Sequence, residues 1–349
     1  MDKNPPSSPN RSPDVTKILG LLSFGHYRDV PGVQARTARD ALTQAIDIAV
    51  GAEELGLDGA WIRVHHYQRQ FATPWALLSA MAARTSRIEL GTAVIDMRYE
   101  NPLIMAELAA AADLISGGRL QLGLSRGSQE PALHGYKAFG IHPTSEASAS
   151  YIAQQHTARF RGAISGVPMA VSDPEQTRRA VPLPIEPRSE TLPDRIWWGS
   201  ATRRSAQWAG TQGMNLLSST LLSEDTGAPF AQLQAEQIRT FHSAWSEAGH
   251  VGAPRVAVTR NVLPIVSARD RDMFGTTAVE EHVGILGGAA SRFGKSYVGS
   301  PDVIAAQLAD DVAVAAADTL LVTIPNLLGV AENLRLLGNI VEHVAPVLG

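Results

Sequence analysis

Short apolar runs alternate with longer stretches of helical periodicity along most of the chain. Eight runs have the length and residue types of β-strands, and a segment with apolar residues at helical spacing follows each of them. Strands and helices that alternate in this way form parallel sheets, and eight such units close into a barrel. The pattern predicts an α/β fold, a (β/α)8 TIM barrel. The predicted strands are Ile18–Phe24, Ala60–Val64, Ile88–Ile95, Leu120–Leu124, Arg195–Trp198, Met214–Leu217, Val256–Val266 and Thr319–Ile324.

Capping signals indicate where several helices begin and end. The first predicted helix runs from about Thr37 to Leu55 and stops at Gly56, because glycine is favoured just after a helix. Thr73-Pro74 and Ser300-Pro301 each offer a hydroxyl at the cap and a proline at the first helical position. We therefore expect both hydroxyls to cap their helices.

Two segments exceed what a minimal barrel needs, so insertions are expected after strands four and seven. Pro143–Asp194 follows strand four, and Asp270–Gly299 follows strand seven with glycines that indicate mobility. Residues 1–16 are rich in Pro, Ser and Asn and lack the apolar region of a signal peptide, which predicts a disordered tail. Residues 17–349 are expected to form a single barrel domain.

The composition narrows the classes of function. The chain has 349 residues, a formal net charge of −4 and no cysteine. The absence of cysteine excludes disulfides, thiolate metal sites and cysteine nucleophiles. The sequence has no block of Lys and Arg of the kind that binds nucleic acid. It also has no run of residues that is long and apolar enough to span a membrane. These features predict a soluble, cytoplasmic protein.

Candidate chemistry gathers at the carboxyl ends of the predicted strands, where barrel enzymes place their active sites. His65 and His66 follow strand two, and Ser125 and Arg126 follow strand four. Histidine moves protons near neutral pH, but neighbouring residues on a strand point to opposite faces, so at most one of the pair faces the barrel mouth. The alternative is one core and one surface histidine. No HExxH pattern or carboxylate at ligand spacing accompanies them, and no metal site is expected.

A loop of small residues follows strand five and leads directly into a helix. Its backbone N–H groups and the helix N-terminus, together with Arg126, can form a phosphate site. The alternative is a plain connection in which Ser or Thr caps the helix. The loop consists of Gly199, Ser200, Ala201 and Thr202.

A different class of enzyme fits one pentapeptide. Gly123–Gly127 reads G-x-S-x-G after a strand, which is the form of a serine hydrolase nucleophile elbow around Ser125. Asp318 and His343 lie downstream and are candidates for the other two members of a triad. Such a short pattern arises easily by chance, and a hydrolase leaves the histidine pair and the loop after strand five without a role.

The second and third helices are strongly apolar and rich in alanine. Trp75–Ala83 and Leu103–Ile115 carry more apolar surface than one barrel is expected to bury, which predicts at least a homodimer. Glu107 and Asp113 lie in the third helix and are interpreted as structural hydrogen-bonding groups or subunit contacts.

Four segments resemble the bacterial-luciferase-like, flavin-dependent monooxygenases. AEELGLDGAWIRVHHY resembles that family's segment ending in Glu-His-His, and GTAVIDMRYENPLIMAELAAAADLISGGRLQLGLSRG resembles its third and fourth strands with the helix between them. IWWGSATRRSAQWAGTQG resembles the phosphate-binding turn after strand five, and GSPDVIAAQLADDVAVAAADTLLVTIP resembles the last helix–strand unit. The SGGR-to-RG stretch is the most specific of these.

The resemblance implies that reduced FMN binds at the barrel mouth. Carried over by position, Arg126 and the Gly199–Thr202 turn hold the phosphate, and Ser125 belongs to a loop that contacts the flavin. Ala93 and Val94 lie behind the isoalloxazine, and the peptide bond between them is often cis in this family.

The resemblance also implies a mechanism. His65 matches the first histidine of the family's pair and acts in proton transfer, with His66 as the other candidate. Val64 replaces the family's glutamate, so the contact from that carboxylate is missing. Reduced flavin and O2 give a 4a-hydroperoxide that oxygenates a small organic substrate behind a closing lid.

The source of reduced flavin and the choice of cofactor follow from the same comparison. The chain has no G-x-G-x-x-G dinucleotide fingerprint, which fits an enzyme supplied by a separate flavin reductase. A deazaflavin-dependent hydride-transfer enzyme on the same barrel is the alternative within the family.

Overall fold

Eight parallel strands form a closed ring in the computed structural model, which describes residues 17–127, 130–142, 149–286 and 289–348. The ring closes because β1 pairs with both β2 and β8, while β7 pairs with both β6 and β8. Every predicted strand overlaps one strand of the ring, so the (β/α)8 barrel is confirmed. The strands are β1 Ile18–Ser23, β2 Gly59–Ile62, β3 Glu89–Asp96, β4 Leu120–Ser125, β5 Ile196–Ser200, β6 Asn215–Ser218, β7 Val256–Pro264 and β8 Thr319–Thr323. The predicted tail, residues 1–16, lies outside the described residues.

Helices surround the ring and connect its strands. The longer ones are α1 Ala38–Glu54, α2 Trp75–Arg84, α3 Pro102–Ser116, α4 Ala149–Ile164, α5 Arg203–Thr211, α6 Phe230–Glu247, α7 Pro301–Ala309 and α8 Gly329–His343. The shorter ones are Pro174–Thr177, Ala268–Phe274 and Val312–Ala316, with 3-10 turns at Gly135–Phe139, Leu192–Arg195, Asn326–Leu328 and Ala345–Val347. Among the described residues, no helix combines the length and apolar character that crossing a bilayer requires.

Both predicted N-caps were wrong, whereas α1 ends just before Gly56 as predicted. Thr37 caps α1 and forms a capping box with Asp40. Pro74 itself occupies the N-cap position of α2 in a helical conformation, so Thr73 lies one residue too early to cap it. Ser300 stands at the N-cap of α7, but its exposed hydroxyl makes no capping hydrogen bond.

Both insertions contain regular structure. The segment after β4 includes α4, which packs against α3 as a barrel helix, and the short antiparallel strands Ala170–Val171 and Pro182–Leu183. The segment after β7 was expected to be mobile because of its glycines. Its described residues include the antiparallel strands His282–Leu286 and Ala289–Phe293, the second of which also pairs with Leu221–Leu222, and a parallel strand Ser296–Gly299 beside β7. Gly287 and Gly288, two of the glycines behind this expectation, lie outside the described residues. Backbone pairing on both sides therefore orders most of this insertion.

An apolar cluster that includes two indoles fills the inside of the ring. Trp61 and Trp197 are fully buried and meet edge to face with ring centroids 5.4 Å apart. At the base of the barrel, Arg255 lies over the Trp197 ring and pairs with Glu89. The large core between the ring and the helices is separate from this interior cluster.

The two carboxylates of α3 have different environments. Asp113 is fully buried and accepts hydrogen bonds from Arg195 at 2.7 Å, from the Ser189 hydroxyl and from the backbone N–H of Leu120. Glu107 is exposed. Asp113 thus joins α3 to β4 and to the residues before β5, which confirms its structural interpretation.

Replacing Asp113 by alanine is predicted to cost about 3–5 kcal/mol of unfolding free energy, because the Arg195 charge then loses its partner at a largely buried position. Glu107→Ala, on the same helix, is the matched control and should change the stability by less than about 0.5 kcal/mol. Urea unfolding followed by circular dichroism measures both. Equal losses in the two variants contradict the role given to Asp113.

Candidate functional site

The carboxyl ends of the strands meet at one mouth of the barrel, and the predicted site residues of β2 to β5 all lie there. His65 and His66 are buried directly after β2. Nδ1 of His65 lies 3.3 Å from the Gln68 side-chain nitrogen, whereas His66 stacks on the Tyr99 ring with centroids 4.2 Å apart. The two imidazoles therefore contact different groups, although both lie in the loop after β2 and not on the strand itself.

Glu130 is a buried carboxylate beside both histidines that sequence reasoning missed. Its Oε1 accepts a hydrogen bond from the His66 backbone N–H at 3.1 Å and lies 3.8 Å from Nδ1 of His65. The family's carboxylate at position 64 is replaced by valine, and Glu130 brings one to the same histidines from the loop after β4. Its Oε2 and Nε2 of His66 are both buried without a hydrogen-bond partner among the described residues.

Burial controls the protonation of these histidines. Burial, followed by the positive charge of Arg63, lowers the pKa of His65 to about 3. Burial also lowers the pKa of His66, although the Glu130 carboxylate acts in the opposite direction. His65 is therefore neutral at pH 7, and its contact with Glu130 is not an ion pair.

The hydrogen-bond network around Gln68 assigns the proton of His65. The Gln68 carbonyl accepts from the Gln70 side-chain nitrogen at 3.0 Å, so the Gln68 nitrogen faces Nδ1 of His65. That nitrogen only donates, so Nδ1 accepts and the ring proton lies on Nε2.

An ion pair supports the end of β3. The Arg98 guanidinium donates to Asp96 at 2.9 Å, and both residues are largely buried. Gly127 packs against this pair so closely that a Cβ there would lie 1.8 Å from an Asp96 carboxylate oxygen. Burial, together with the charge of Asp96, raises the pKa of the neighbouring Glu100 to about 7.

The predicted flavin-contact residues form a small surface above the barrel interior. Ala93 and Val94 pack against the interior cluster, and the peptide bond between them is cis. At Gly199 a Cβ would lie 2.8 Å from a Val94 methyl group and 3.3 Å from Cβ of Ser125. A side chain at position 199 would therefore fill the space where these three residues meet.

The predicted phosphate elements are neighbours at the ends of β4 and β5. Leu124 pairs with Trp198, so Arg126 and Ser200 follow at the same level. Arg126 is exposed and makes no hydrogen bond or ion pair with any described residue. The Thr202 hydroxyl caps α5 by accepting from the Ser205 N–H, and the Ser200 hydroxyl donates to the Thr202 carbonyl at 2.8 Å.

A carboxylate shares the beginning of α5 with this turn. Glu224 accepts hydrogen bonds from the Arg203 backbone N–H at 2.9 Å and from its guanidinium at 3.1 Å. The next N–H of the first turn, that of Arg204, has no partner among the described residues. Thr202 thus caps the helix, as the capping alternative expects, and the Arg204 N–H and the Arg126 guanidinium have no partner in the part of the chain that the structure describes.

The proposed triad of a serine hydrolase is not assembled. Ser125 is buried, and its hydroxyl accepts from the Gly127 N–H at 2.8 Å. Asp318 stands just before β8, at the opposite end of the barrel, and accepts from the Val256 N–H. His343 ends α8 beside Glu342. Among the described residues no imidazole is hydrogen-bonded to Ser125, and no three His, Asp or Glu side chains are grouped as a metal site.

Comparison with known sequences places the chain in a family. It matches the family described as luciferase-like monooxygenase over residues 22–273. Uncharacterized protein y4wF from Sinorhizobium fredii is 30% identical over 208 residues, which span 58% of this chain and 58% of that relative. An F420-dependent glucose-6-phosphate dehydrogenase from Amycolatopsis mediterranei is 34% identical over 102 residues, or 28% of this chain and 31% of that relative. The chain thus matches less than two thirds of the length of either relative.

Solved structures share the barrel. The monooxygenase RslO1 from Streptomyces bottropensis superimposes with a TM-score of 0.70 at 20% identity, covering 95% of this chain and 99% of that one. The oxygenating constituent of 3,6-diketocamphane monooxygenase from Pseudomonas putida, solved in complex with FMN, has a TM-score of 0.70 at 17% identity and covers 95% and 98%. At these identities the likeness concerns the fold. The sequence match extends over most of the chain, which therefore belongs to the luciferase-like monooxygenase family.

Proposed function

We propose that this chain is a flavin-dependent monooxygenase that uses reduced FMN and O2 to oxygenate a small organic substrate. The observation that carries the proposal is the position of Arg126, whose guanidinium has no partner among the described residues, at the level of the Gly199–Thr202 turn at the start of α5. A phosphate is the group that such a cation, helix end and free N–H recognise together. When bound there, reduced FMN supplies the electrons that activate O2.

Other residues of the mouth fit the remainder of a flavin. Ala93, Val94 and Gly199 form an apolar surface against which a flat ring can lie. The turn Gly135–Phe139 brings Tyr136 and Phe139 to Tyr99, and Phe139 also lies against His66 with centroids 5.1 Å apart. These aromatic groups exclude water from one side of the histidine pair, and exclusion of water protects reactive oxygen chemistry.

His65 is proposed to act as a neutral imidazole. Nδ1 faces the Gln68 amide nitrogen, and we propose that the ring donates its Nε2 proton to an oxygen that gains negative charge during the reaction. His66 and Glu130 hold the end of β2 through the backbone hydrogen bond between them. Their buried, unpaired Nε2 and Oε2 atoms are further polar groups that a ligand can engage.

A deazaflavin-dependent hydride-transfer enzyme is the second candidate. The relative named as an F420-dependent dehydrogenase favours it, and Arg126 with the same turn suits the phosphate of either cofactor. We prefer FMN because the family that the chain matches is described as luciferase-like monooxygenase. The lack of a dinucleotide fingerprint fits an enzyme that receives reduced flavin from a separate reductase.

The proposed cofactor is tested by anaerobic titration with reduced FMN and with reduced F420. The full chain should bind FMN saturably, and Arg126→Ala should weaken FMN binding about ten- to a hundredfold, because a charge-assisted hydrogen bond contributes about 1.5–3 kcal/mol. Arg84→Ala, at an exposed position at the far end of α2, is the control and should bind like the wild type. Binding of F420 without binding of FMN supports the second candidate instead.

The neutral state of His65 is tested by its pH dependence. Its pKa of about 3 lies below the ordinary histidine value of about 6.5, so as the pH falls the unfolded chain binds a proton before the folded chain does. The contribution of His65 to the free energy of unfolding has its full value above pH 6.5. It decreases as the pH falls toward 3, with a slope of about 1.4 kcal/mol per pH unit for one proton. Nitrogen NMR of the imidazole should show a neutral ring from pH 7 to 5. A titration midpoint above 6 contradicts this.

A homodimer is proposed through α3. Its apolar side chains Ile104, Leu108 and Ile115 recur at helical spacing and are exposed by 56%, 40% and 57%. The part of the expectation that rested on α2 was wrong, because its large apolar side chains are buried against the barrel.

Light scattering should give a dimer mass at micromolar concentration, since an exposed apolar stripe is stabilised by burial against a second copy. Leu108→Asp should shift the protein to monomer, because the interface then buries a charge. Val251→Asp, at a loop position that is 96% exposed, is the control and should remain dimeric. A wild-type monomer contradicts the proposal.

A further inference from the structure

We propose that a cavity beside His65, between the loops after β1 and β2, binds an anionic group of the substrate. This inference rests on the proposed function, because it names the class of substrate for the same mouth. The cavity has a volume of about 290 Å³. It is lined by His26, Tyr27, Arg28, Gln68, Arg69, Gln70 and Leu327.

The lining carries positive charge and no carboxylate. Arg28 and Arg69 are exposed and make no side-chain hydrogen bond or ion pair with any residue that the structure describes. The nearest acid in the sequence, Asp29, is already paired with Arg36 at 2.9 Å. Two guanidinium groups at the rim of one cavity repel each other unless an anion lies between them, so an anionic ligand is the one that this cavity favours.

The positive charges of Arg28 and Arg63 both act on His26, one of the residues that line the cavity. Burial lowers the pKa of His26, and the charges of Arg63 and Arg28 lower it further. Arg63 also lowers the pKa of His65, so the same positive field extends to the proposed reacting group. An anion bound in the cavity is therefore attracted by the charges of Arg28 and Arg63.

A chain of side-chain hydrogen bonds joins the cavity to His65. The Gln70 side-chain nitrogen lies 3.0 Å from Nε2 of His26 and donates to Gln68 at 3.0 Å, and Gln68 donates to Nδ1 of His65. The carbonyl oxygen of Gln70 is buried without a hydrogen-bond partner among the described residues. The chain of hydrogen bonds links occupation of the cavity to the orientation of His65.

The cavity is separate from the proposed phosphate site. It lies at the ends of β1 and β2, whereas Arg126 and the Gly199–Thr202 turn lie at the ends of β4 and β5. Tyr27 and Leu327 contribute apolar surface to the lining of the cavity. Its volume is at the small end of ligand pockets. These properties fit a small organic carboxylate with an apolar body.

Two isosteric probes, benzoate and benzamide, test the charge preference by ligand-observed NMR titration of the full chain in the presence of oxidised FMN. Benzoate should bind about tenfold or more tightly than benzamide, because only benzoate carries the charge that the guanidinium groups recognise. The double variant Arg28→Gln/Arg69→Gln should bind the two probes with affinities within about twofold. Arg84→Gln is the matched control and should keep the preference of the wild type.

Equal binding of benzoate and benzamide by the wild type overturns the inference, and so does a preference that persists in the double variant. Titration of the same variants with FMN separates this test from the test of the proposed function. The double variant should keep wild-type FMN affinity. A tenfold loss of FMN affinity shows that these arginines serve the cofactor phosphate and overturns the inference. A benzoate preference in a chain that binds no flavin supports the cavity and refutes only the proposed function.

Discussion

The indoles of Trp61 and Trp197 occupy much of the inside of the barrel. The strands around these two large rings can remain close to one another only where they carry no side chain that would collide with a ring or with a neighbouring strand. Glycine makes this possible. At Gly91 a Cβ would lie 2.3 Å from the Trp61 ring, and at Gly123 it would lie 2.1 Å from the Thr92 carbonyl oxygen. The close approach of β2, β3 and β4 in this layer brings their carboxyl ends together, so the geometry of the mouth depends on the packing below it.

The chemistry of the mouth is divided by position around the ring. The ends of β4 and β5 carry Arg126, which has no partner among the described residues, and a small-residue turn at a helix start, where we propose that the phosphate binds. The ends of β1 and β2 offer a cavity with positive charge, and His65 lies beside it. Burial keeps His65 neutral between these two positive regions, because a further positive charge there would be both desolvated and repelled. A cofactor anion and a substrate anion can therefore bind at separate places around one neutral proton donor.

The fold was predictable because its signals are local. Each barrel strand is an apolar run bounded by turn residues. The ends of α1 are likewise marked in the sequence, by Thr37 at its start and by Gly56 just after its end. The α4 helix was not recognised, because its apolar positions are interspersed with Gln, His and Arg within a segment that otherwise resembles a loop. The strands of the insertion after β7 depend on pairing with Leu221–Leu222, a contact distant in sequence.

The site was only partly predictable for the same reason. The histidine pair, Arg126 and the Gly199–Thr202 turn adjoin strand ends and could be found by position alone. Glu130 could not, because it belongs to a loop after β4 and reaches the histidines through the fold. Glu224 likewise reaches the start of α5 from the loop after β6, and nothing in its local sequence indicates that contact.

A crystal structure of the chain with bound FMN tests the central claim most directly. The account predicts that the phosphate accepts hydrogen bonds from Arg126 and from the Gly199–Thr202 turn, with the isoalloxazine against Ala93 and Val94. Phosphate density between Arg28 and Arg69, or flavin bound outside the barrel mouth, contradicts it.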